Sequence, residues 1–388
     1  MPVLRLPTAL GALESFALSP PSPFPAHQER PFPRVAYAAA HVVADPLGSG
    51  DPWGRAAIDW ERTLKFRHRL WDLGLGVAEA MDTAQRGMGL EWGDAKTLIS
   101  RAIAQARTRP GAMIACGVGT DQLDPGATHS LGAVTAAYEE QLEFVEAQGG
   151  RAILMASRAL ARAARGPGDY AQVYDRLLSK AQAPLILHWL GDMFDASLGG
   201  YWGGAGFEEA MAIVLDIIAR HAARVDGIKI SLLDAGKEVA MRARLPAGVR
   251  MYTGDDFNYA ALIAGDGEKY SHALLGVFDP IAPAAAAALA RLGEGDRRGY
   301  EAILAPTVAL SRKIFEAPTP HYKAGVVFMA WLNGFQEHFA MLAGLQSARS
   351  ILHYAEVFRL ADRAGLLEDP ERAARRMRAL LATMGVEG

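Results

Sequence analysis

Lys229 is the side chain in this sequence best suited to covalent chemistry. Apolar residues flank it on both sides within Val225–Leu233. Lysine is scarce in this chain, eight of 40 basic residues, so arginine is the general surface cation and a lysine in an apolar segment needs a specific reason. Burial disfavours the charged amine and lowers its pKa from about 10.4. A neutral amine can attack a carbonyl to form a Schiff base. The alternative is a lysine paired with a buried carboxylate or extended to solvent.

His188 is the second candidate for chemistry, because it interrupts an apolar run at Leu185–Leu187. An imidazole titrates near neutral pH and could relay protons. It could also ligate a metal ion, or be a core histidine that bonds a backbone carbonyl. The aromatic side chains of Trp189 and Trp202 are candidates for stacking on the face of a sugar.

Short apolar stretches that alternate with amphipathic ones must position these residues, a pattern typical of βα units. The candidate strands are Val35–Val43, Gly76–Ala80, Ala112–Gly117, Ala152–Ala156, Pro184–His188, Gly227–Ser231, Val249–Thr253 and Ala273–Phe278. Eight parallel strands can close a barrel, and no G-x-G-x-x-G turn follows the first strand to favour an open sheet. We therefore predict an α/β fold, a (β/α)₈ TIM barrel with a C-terminal helical extension.

Three regions are predicted along the chain. Residues 1–33 form a Pro-rich N-terminal arm, residues 34–283 the barrel, and residues 284–388 a C-terminal helical region. The predicted helices of this last region are Ala284–Arg291, Arg297–Phe315, Tyr322–Leu345, Ala348–Ala364 and Pro370–Met384. Because Tyr322–Leu345 is apolar on more than one face, we expect a homo-oligomer.

Polar residues cluster at the C-terminal ends of the predicted strands, where the active sites of parallel barrels lie. They include His41, Glu79, Asp82, Thr83, Asp121, His188, Ser231, Asp255, Asp256 and Asp279. An Asp or Thr in such a place often caps the next helix instead. One set of them, with nitrogen and oxygen ligands, could hold a divalent metal ion: His41, Glu79, Asp82, His188 and Asp255. No H-E-x-x-H or Cys/His cluster supports that alternative.

The composition of the 388-residue chain is that of an ordinary globular protein. A formal net charge of −3 gives no electrostatic reason to expect nucleic acid or an acidic membrane as a partner. A single cysteine, Cys116, fits a reducing compartment. The N-terminus lacks a signal-peptide pattern, and no apolar run approaches the roughly 18 residues needed to span a bilayer. We therefore expect a cytoplasmic protein.

The order of three motifs resembles the dihydrodipicolinate synthase/N-acetylneuraminate lyase superfamily of class I aldolases. Gly227-Ile228-Lys229 resembles the G-I-K motif of that family around its Schiff-base lysine on strand six. Gly254-Asp255-Asp256 is similar to its G-D-D motif after strand seven, and Gly117-Val118-Gly119-Thr120 to its glycine turn after strand three. The resemblance spans about residues 34–365. Within the superfamily, Ala78–Gly87 and His188–Gly191 resemble a bacterial group known as a domain of unknown function.

Two departures from the superfamily pattern concern the substrate. The family's Y-N-x-P after strand five, with a proton-relaying tyrosine, is replaced by His188-Trp189-Leu190-Gly191. The Thr-Thr pair that binds a keto-acid carboxylate is replaced by Asp82-Thr83. An aspartate repels a carboxylate, so both changes suit a neutral, hydroxyl-rich ligand better than pyruvate.

These observations give one leading hypothesis and two alternatives. The leading hypothesis is a carbon–carbon or carbon–oxygen lyase that needs no cofactor and acts on a sugar-derived small-molecule carbonyl compound, a keto sugar or keto sugar acid. Lys229 is its expected Schiff-base nucleophile and His188 its proton relay. The expected substrate contacts come from Glu79, Asp82, Thr83, Trp189, Ser231 and Asp255. The alternatives are a metal-dependent sugar isomerase or lyase, and a non-catalytic barrel that binds a sugar.

Overall fold

A computed structural model of the chain describes residues 1–28, 31–48, 53 and 57–386. Contacts divide the chain into two units. One unit comprises Arg34–Ala40 and Gly76–Gly276, and the other comprises Met1–Pro33, His41–Leu75 and Val277–Gly388. The three regions expected from the sequence, with boundaries near residues 33 and 283, stay a prediction.

The described residues contain two groups of strands and a long series of helices. The strands are β1 Val3–Pro7, β2 Leu13–Ala17, β3 Ala36–Ala39, β4 Gly76–Glu79, β5 Ile114–Val118, β6 Arg151–Leu154, β7 Leu185–Leu190, β8 Val225–Ser231, β9 Arg250–Thr253 and β10 His272–Leu275. The helices are α1 Trp60–Asp72, α2 Trp92–Arg107, α3 Leu131–Ala147, α4 Arg158–Ala163, α5 Pro167–Lys180, α6 Phe207–Arg220, α7 Ala235–Arg244, α8 Tyr259–Ala264, α9 Ala282–Gly293, α10 Arg297–Ile314, α11 Tyr322–Leu332, α12 Ile351–Arg363 and α13 Pro370–Thr383. Short 3₁₀ helices lie at Asp82–Ala84, Ala196–Leu198, Ala222–Arg224, Thr319–His321 and Leu342–Ala348.

Strands β3 to β10 form a closed barrel in chain order, and each neighbouring pair is parallel. Every one of the eight predicted strands overlaps one of these strands, and helices separate them along the chain. The predicted (β/α)₈ barrel with C-terminal helices is confirmed.

The barrel interior is filled by side chains that alternate with outward-facing ones along each strand. Its buried apolar cluster consists of Tyr37, Ala39, Ala78, Met81, Ala115, Ile153, Met155, Ile186, Tyr252 and Leu274. The hydroxyl of Tyr252 donates a hydrogen bond to Asp226 at 2.6 Å, and Asp226 also pairs with Arg151 and Arg250. This network ties strands β6, β8 and β9 together.

The second unit holds the β1–β2 antiparallel hairpin within the predicted N-terminal arm, together with α1 and α9 to α13. One of its helices is shorter than expected: α11 ends at Leu332, not at Leu345, because Gly334 adopts a left-handed conformation (φ +83°). All eleven residues of α11 are buried in a single copy of the chain. Its apolar faces are therefore explained without an oligomer, and the expected homo-oligomer stays a prediction. No helix in the described ranges is long and apolar enough to span a membrane.

Gly227 in β8 leaves the space that the ring of Tyr252 occupies. A Cβ atom at this position would lie 2.5 Å from the carbonyl oxygen of Arg250 and 2.7 Å from the Tyr252 ring. Backbone and a bonded ring cannot easily move, so the position admits only glycine without distortion of the barrel.

We predict that Gly227→Ala lowers the free energy of unfolding by about 1–3 kcal/mol, the usual cost of overpacking a core. Urea denaturation followed by circular dichroism measures the change. Gly132→Ala in α3 is the matched control, because its added Cβ meets only the Ser130 hydroxyl at 3.8 Å. Equal midpoints for both variants would contradict the close packing described for Gly227.

Candidate active site

Lys229 lies on β8 with its side chain directed into the barrel. It is the register partner of His188 on β7 and of Tyr252 on β9, and Tyr252 belongs to the interior cluster. Residues paired in parallel strands face the same side of the sheet. Lys229 is only 6% exposed, and His188 only 1%. The two predicted catalytic side chains are therefore buried neighbours on the inner face.

Gly254, just after β9, makes room for the lysine side chain. A Cβ atom on this residue would lie 2.6 Å from Cε of Lys229 and 2.2 Å from Oγ of Ser231. Any larger residue would displace both groups. The glycine of the G-D-D motif is thus explained by packing against the G-I-K strand.

Burial sets the protonation of Lys229. Desolvation lowers the pKa of its amine below the usual value, and the charges of Asp82 and Asp256 oppose that effect only in part. The net shift favours the neutral amine, which is the nucleophilic form. The structure therefore supplies the desolvation expected from the sequence.

His188 is held neutral by the same environment. Desolvation first, and the nearby charge of Lys229 second, place the pKa of its imidazole well below the usual range. Its Nε2 lies 3.3 Å from Oγ of Ser231, and its buried Nδ1 has no hydrogen-bond partner among the described residues. A neutral imidazole with an unused nitrogen is able to accept a proton from a bound molecule.

A cavity of about 180 Å³ opens beside His188. Its walls come from the segments that follow strands β4, β5, β6 and β7. They include Asp82, Arg86, Gly119, Thr120, Asp121, Met155, Ser157, Arg158, His188, Leu190 and Asp195. The cavity lies at the C-terminal ends of the strands, as expected for a parallel barrel.

Two predicted substrate ligands follow β4 at this end of the barrel. Asp82 opens the 3₁₀ helix Asp82–Ala84, is partly buried and lines the cavity. Thr83 is buried beside it. Ala80 precedes them in a left-handed conformation (φ 52°), which is unusual for a residue with a Cβ atom and redirects the chain at the strand end.

The two aspartates of the G-D-D motif have different surroundings from those expected. Oδ1 of Asp255 accepts the backbone N–H groups of Phe257 and Asn258, and Oδ2 accepts the side-chain amide of Asn258. The carboxylate of Asp255 therefore stabilises the turn in which it lies. Asp256 is the carboxylate whose charge acts on Lys229, and we did not select it from the sequence because spacing alone does not tell two adjacent aspartates apart.

Glu79 and Trp189 lie on the outer face of the barrel strands. Their neighbours Ala78 and His188 point inward, and successive side chains alternate. Oε1 of Glu79 accepts the N–H of Ala80 at 2.9 Å. The Trp189 ring stacks on Phe207 with 5.7 Å between centroids, so it packs inside the protein. Their roles in substrate binding stay predictions without a contact that supports them.

The five residues of the metal alternative are not arranged as a ligand set. Nδ1 of His41 lies 2.7 Å from Asp279, and both oxygens of Asp255 bond within its own turn. Among the described residues, no group of three or more His, Cys, Asp or Glu side chains is placed to hold a metal ion. The metal alternative stays a prediction.

A buried ion pair that we did not predict supports one wall of the cavity. Nε of Arg86 donates to Asp121 at 2.6 Å, and the amide of Gln141 donates to the same carboxylate at 2.9 Å. The guanidinium holds the pKa of Asp121 below its usual value although burial alone would raise it. Their separation along the chain, 35 residues between Arg86 and Asp121, leaves no signal in a single sequence.

Comparison with protein families gives one match that spans almost the whole chain. The profile of a family described as "Protein of unknown function (DUF993)" matches residues 4–386. The chain belongs to the DUF993 family. A search of the curated proteins found no match.

Solved structures of the dihydrodipicolinate synthase family share the fold of this DUF993 chain. A prophage protein of that family from E. coli K12, in complex with pyruvate, is 13% identical, with a TM-score of 0.63 over 91% of this chain and 99% of that one. Dihydrodipicolinate synthase from Acinetobacter baumannii, complexed with pyruvate, is 16% identical, with a TM-score of 0.61 over 86% and 99%. Dihydrodipicolinate synthase from Thermotoga maritima is also 16% identical, with a TM-score of 0.61 over 86% of this chain and 99% of that one. The resemblance expected from the sequence is confirmed for the fold.

We predict that Lys229→Met raises the melting temperature at pH 7 by a few degrees, because methionine carries no charge to desolvate. The folded-state pKa of Lys229 lies below its unfolded-state value of about 10.4, so between these values the unfolded chain binds more protons. Stability of the wild type therefore rises with pH in that window. The gap between variant and wild type should shrink from pH 7 to pH 10.

Scanning calorimetry at both pH values measures this gap. Lys323→Met is the control, because the Nζ atom of that buried lysine donates to the carbonyl oxygen of Pro320 at 3.1 Å. A Lys229→Met variant that is less stable than the wild type at pH 7 would show that the ammonium is stabilised in the fold.

Proposed function

We propose that this protein is a Schiff-base lyase of the class I aldolase type, which cleaves or eliminates from a keto sugar or keto sugar acid. The observation that carries the proposal is the pair formed by Lys229 and His188: a desolvated amine beside a neutral imidazole, at the mouth of a parallel barrel. Two of the solved structures with this fold are complexes with pyruvate, a small carbonyl compound.

The first step uses the neutral amine of Lys229. Its nitrogen lone pair bonds to the carbonyl carbon of the substrate. The hydroxyl group of the resulting neutral carbinolamine takes up a proton from solvent and leaves as water, which gives an iminium ion. The positive nitrogen then acts as an electron sink for the carbon atoms next to it. Because the pKa of Lys229 is lowered, a larger fraction of the amine is reactive near neutral pH.

The second step uses His188 as a base. Its neutral imidazole takes a proton from a substrate hydroxyl, the adjacent C–C bond breaks, and the electron pair passes into the iminium to form an enamine. For elimination, the same base removes a proton from the carbon beside the iminium, and a hydroxyl group leaves as water. Protonation of the enamine and hydrolysis of the imine then regenerate Lys229.

Three polar side chains are suited to orient the substrate in these steps. Ser231 contacts His188 and is packed against Gly254. Asp82 lines the cavity, and Thr83 follows it in the same 3₁₀ helix. Hydroxyl and carboxylate groups bind the hydroxyls of a sugar. Homo-oligomerisation is part of the proposal, and sedimentation velocity at micromolar concentration tests it.

We predict that borohydride traps a carbonyl compound on Lys229. Wild-type protein incubated with candidate keto sugars and keto acids should gain one adduct by intact mass, located at Lys229 by peptide mapping. The trapping rate should rise with pH and reach its plateau at a lower pH than that of free Nα-acetyl-lysine, since the amine pKa is lowered.

Two variants control the trapping experiment. Lys229→Arg cannot form an imine, because a guanidinium does not lose its proton, whereas Lys323→Arg should trap as the wild type does. If turnover with the true substrate proceeds without any adduct and chelation abolishes it, a metal-dependent reaction replaces this proposal. Binding without any turnover would indicate a non-catalytic sugar-binding barrel.

We predict that His188→Phe folds normally but lowers turnover by about 10²-fold or more, the usual effect of losing an acid–base group. Steady-state kinetics and a thermal melt together measure this. His188→Tyr should recover part of the activity, because a phenol can also relay a proton. A His188→Phe variant that aggregates yet keeps its specific activity would show that His188 is a core residue only.

A further inference from the structure

The cavity beside His188 has an excess of negative charge. Three guanidinium groups and five carboxylates line it, those of Arg86, Arg158 and Arg162 and those of Asp82, Glu91, Asp121, Asp124 and Asp195. His188 adds no charge near neutral pH, because the pKa of its imidazole is far below the usual range. What matters for a substrate is which of these groups are free to bind it.

Arg86, the buried cation of the cavity, has no donor left for a ligand. A guanidinium presents five N–H donors, and here each has an acceptor. Nε and Nη2 donate to the two oxygens of Asp121 at 2.6 and 2.7 Å, and Nη2 also donates to Gln141 at 2.7 Å. Nη1 donates to the carbonyl oxygens of Ala80 and Gly117 at 3.1 and 3.2 Å. A substrate anion would have to break this network.

The two remaining arginines are also engaged within the protein. Arg158 forms an ion pair with Asp195, and its side chain is 48% exposed to solvent. Arg162 donates to the carbonyl oxygens of Pro125 and Ala127 at 2.6 and 3.3 Å. Both guanidinium groups have N–H donors without a partner among the described residues, but neither charge acts on Lys229, whereas the charges of Asp82 and Asp256 do.

Asp82 is the carboxylate of the cavity whose charge acts on Lys229. No group in the described part of the chain hydrogen-bonds its carboxylate, and its charge acts on Lys229. An α-keto acid carries its carboxylate on the very carbon that Lys229 would attack. The carboxylate would therefore lie within reach of the charge of Asp82, and like charges repel.

We propose that the substrate is an uncharged polyhydroxylated ketone and that Asp82 is the residue that selects it over the corresponding keto acid. Asp82 accepts hydrogen bonds from the hydroxyls beside the reacting carbonyl and rejects a carboxylate in the same place. This inference rests on the Schiff-base function proposed for Lys229 and narrows its substrate to keto sugars.

Two matched probes test the inference by reductive trapping. Dihydroxyacetone and hydroxypyruvate differ only in a CH₂OH group that is replaced by a carboxylate. In each, the Lys229 nitrogen bonds to the carbonyl carbon, water leaves, and borohydride adds hydride to the imine carbon. The adduct therefore adds the mass of the probe less one oxygen atom. The trapping rate of each probe on the protein is divided by its trapping rate on free Nα-acetyl-lysine, which removes the intrinsic reactivity of the probe.

After this correction, the wild type should trap dihydroxyacetone at least about tenfold faster than hydroxypyruvate. Asp82→Asn should lower that preference by about tenfold, mainly through faster trapping of hydroxypyruvate. Asp216→Asn, which removes the same charge from the outer surface of α6, should leave the preference unchanged. Equal or faster trapping of hydroxypyruvate by the wild type would overturn the inference but leave the Schiff-base function intact.

A binding measurement separates the two levels of the proposal. The Lys229→Met variant cannot form an imine, so a ligand can only bind to it without reacting. Its melting temperature is measured with D-fructose and with 2-keto-D-gluconate, which has a carboxylate at C1 of the same carbon chain. The difference between the two thermal shifts then reports charge selection alone. A larger shift with fructose, abolished by adding Asp82→Asn, supports the inference even if no adduct forms on the wild type. A larger shift with 2-keto-D-gluconate overturns it, and so does a shift with neither sugar when no adduct forms.

Discussion

The candidate site depends on one constraint, the burial of the Lys229 amine inside a closed parallel barrel. Eight strands that pack side chains toward a common axis leave little water around an inward-facing lysine, so its charged form loses hydration. The negative charges of Asp82 and Asp256 stabilise the charged form, but they offset the lost hydration only in part. Gly254 allows the arrangement, because any side chain there would occupy the volume of the lysine Cε atom.

The same burial determines what His188 can do. Strand register places it directly beside Lys229, where low solvation, and the charge of Lys229 whenever that amine is protonated, disfavour imidazolium. A tyrosine at this position would start as an acid, whereas a neutral histidine starts as a base. In the proposed mechanism a histidine can take the first proton directly, whereas a tyrosine must first lose its own. The histidine suits the proposed reaction, which begins by removing a proton from a substrate hydroxyl.

The sequence predicts the parts of this molecule that depend on local pattern and misses those that depend on contacts between distant segments. Eight strands and the position of Lys229 follow from apolar runs and their interruptions. The end of α11 is missed, since its apolar pattern continues beyond Gly334, where the backbone turns. The outward direction of Trp189 follows from strand alternation once the inward residues are known. The Arg86–Asp121 pair depends on the pairing of β4 with β5, which brings together the segments that follow these strands.

The free energy of desolvating the charged Lys229 amine affects both the stability of the fold and the proposed reactivity of the amine. Each unit by which burial lowers the pKa of the amine corresponds to about 1.4 kcal/mol of preference for the neutral form. Where the amine would otherwise be charged, the fold bears that cost. The saturated network around Arg86 shows the opposite solution for a buried cation, in which every donor is satisfied and no reactivity remains. A lysine that were equally well satisfied would be more stable and would lose its nucleophilic form. The incomplete compensation of the Lys229 charge is therefore the physical feature on which its proposed reactivity depends.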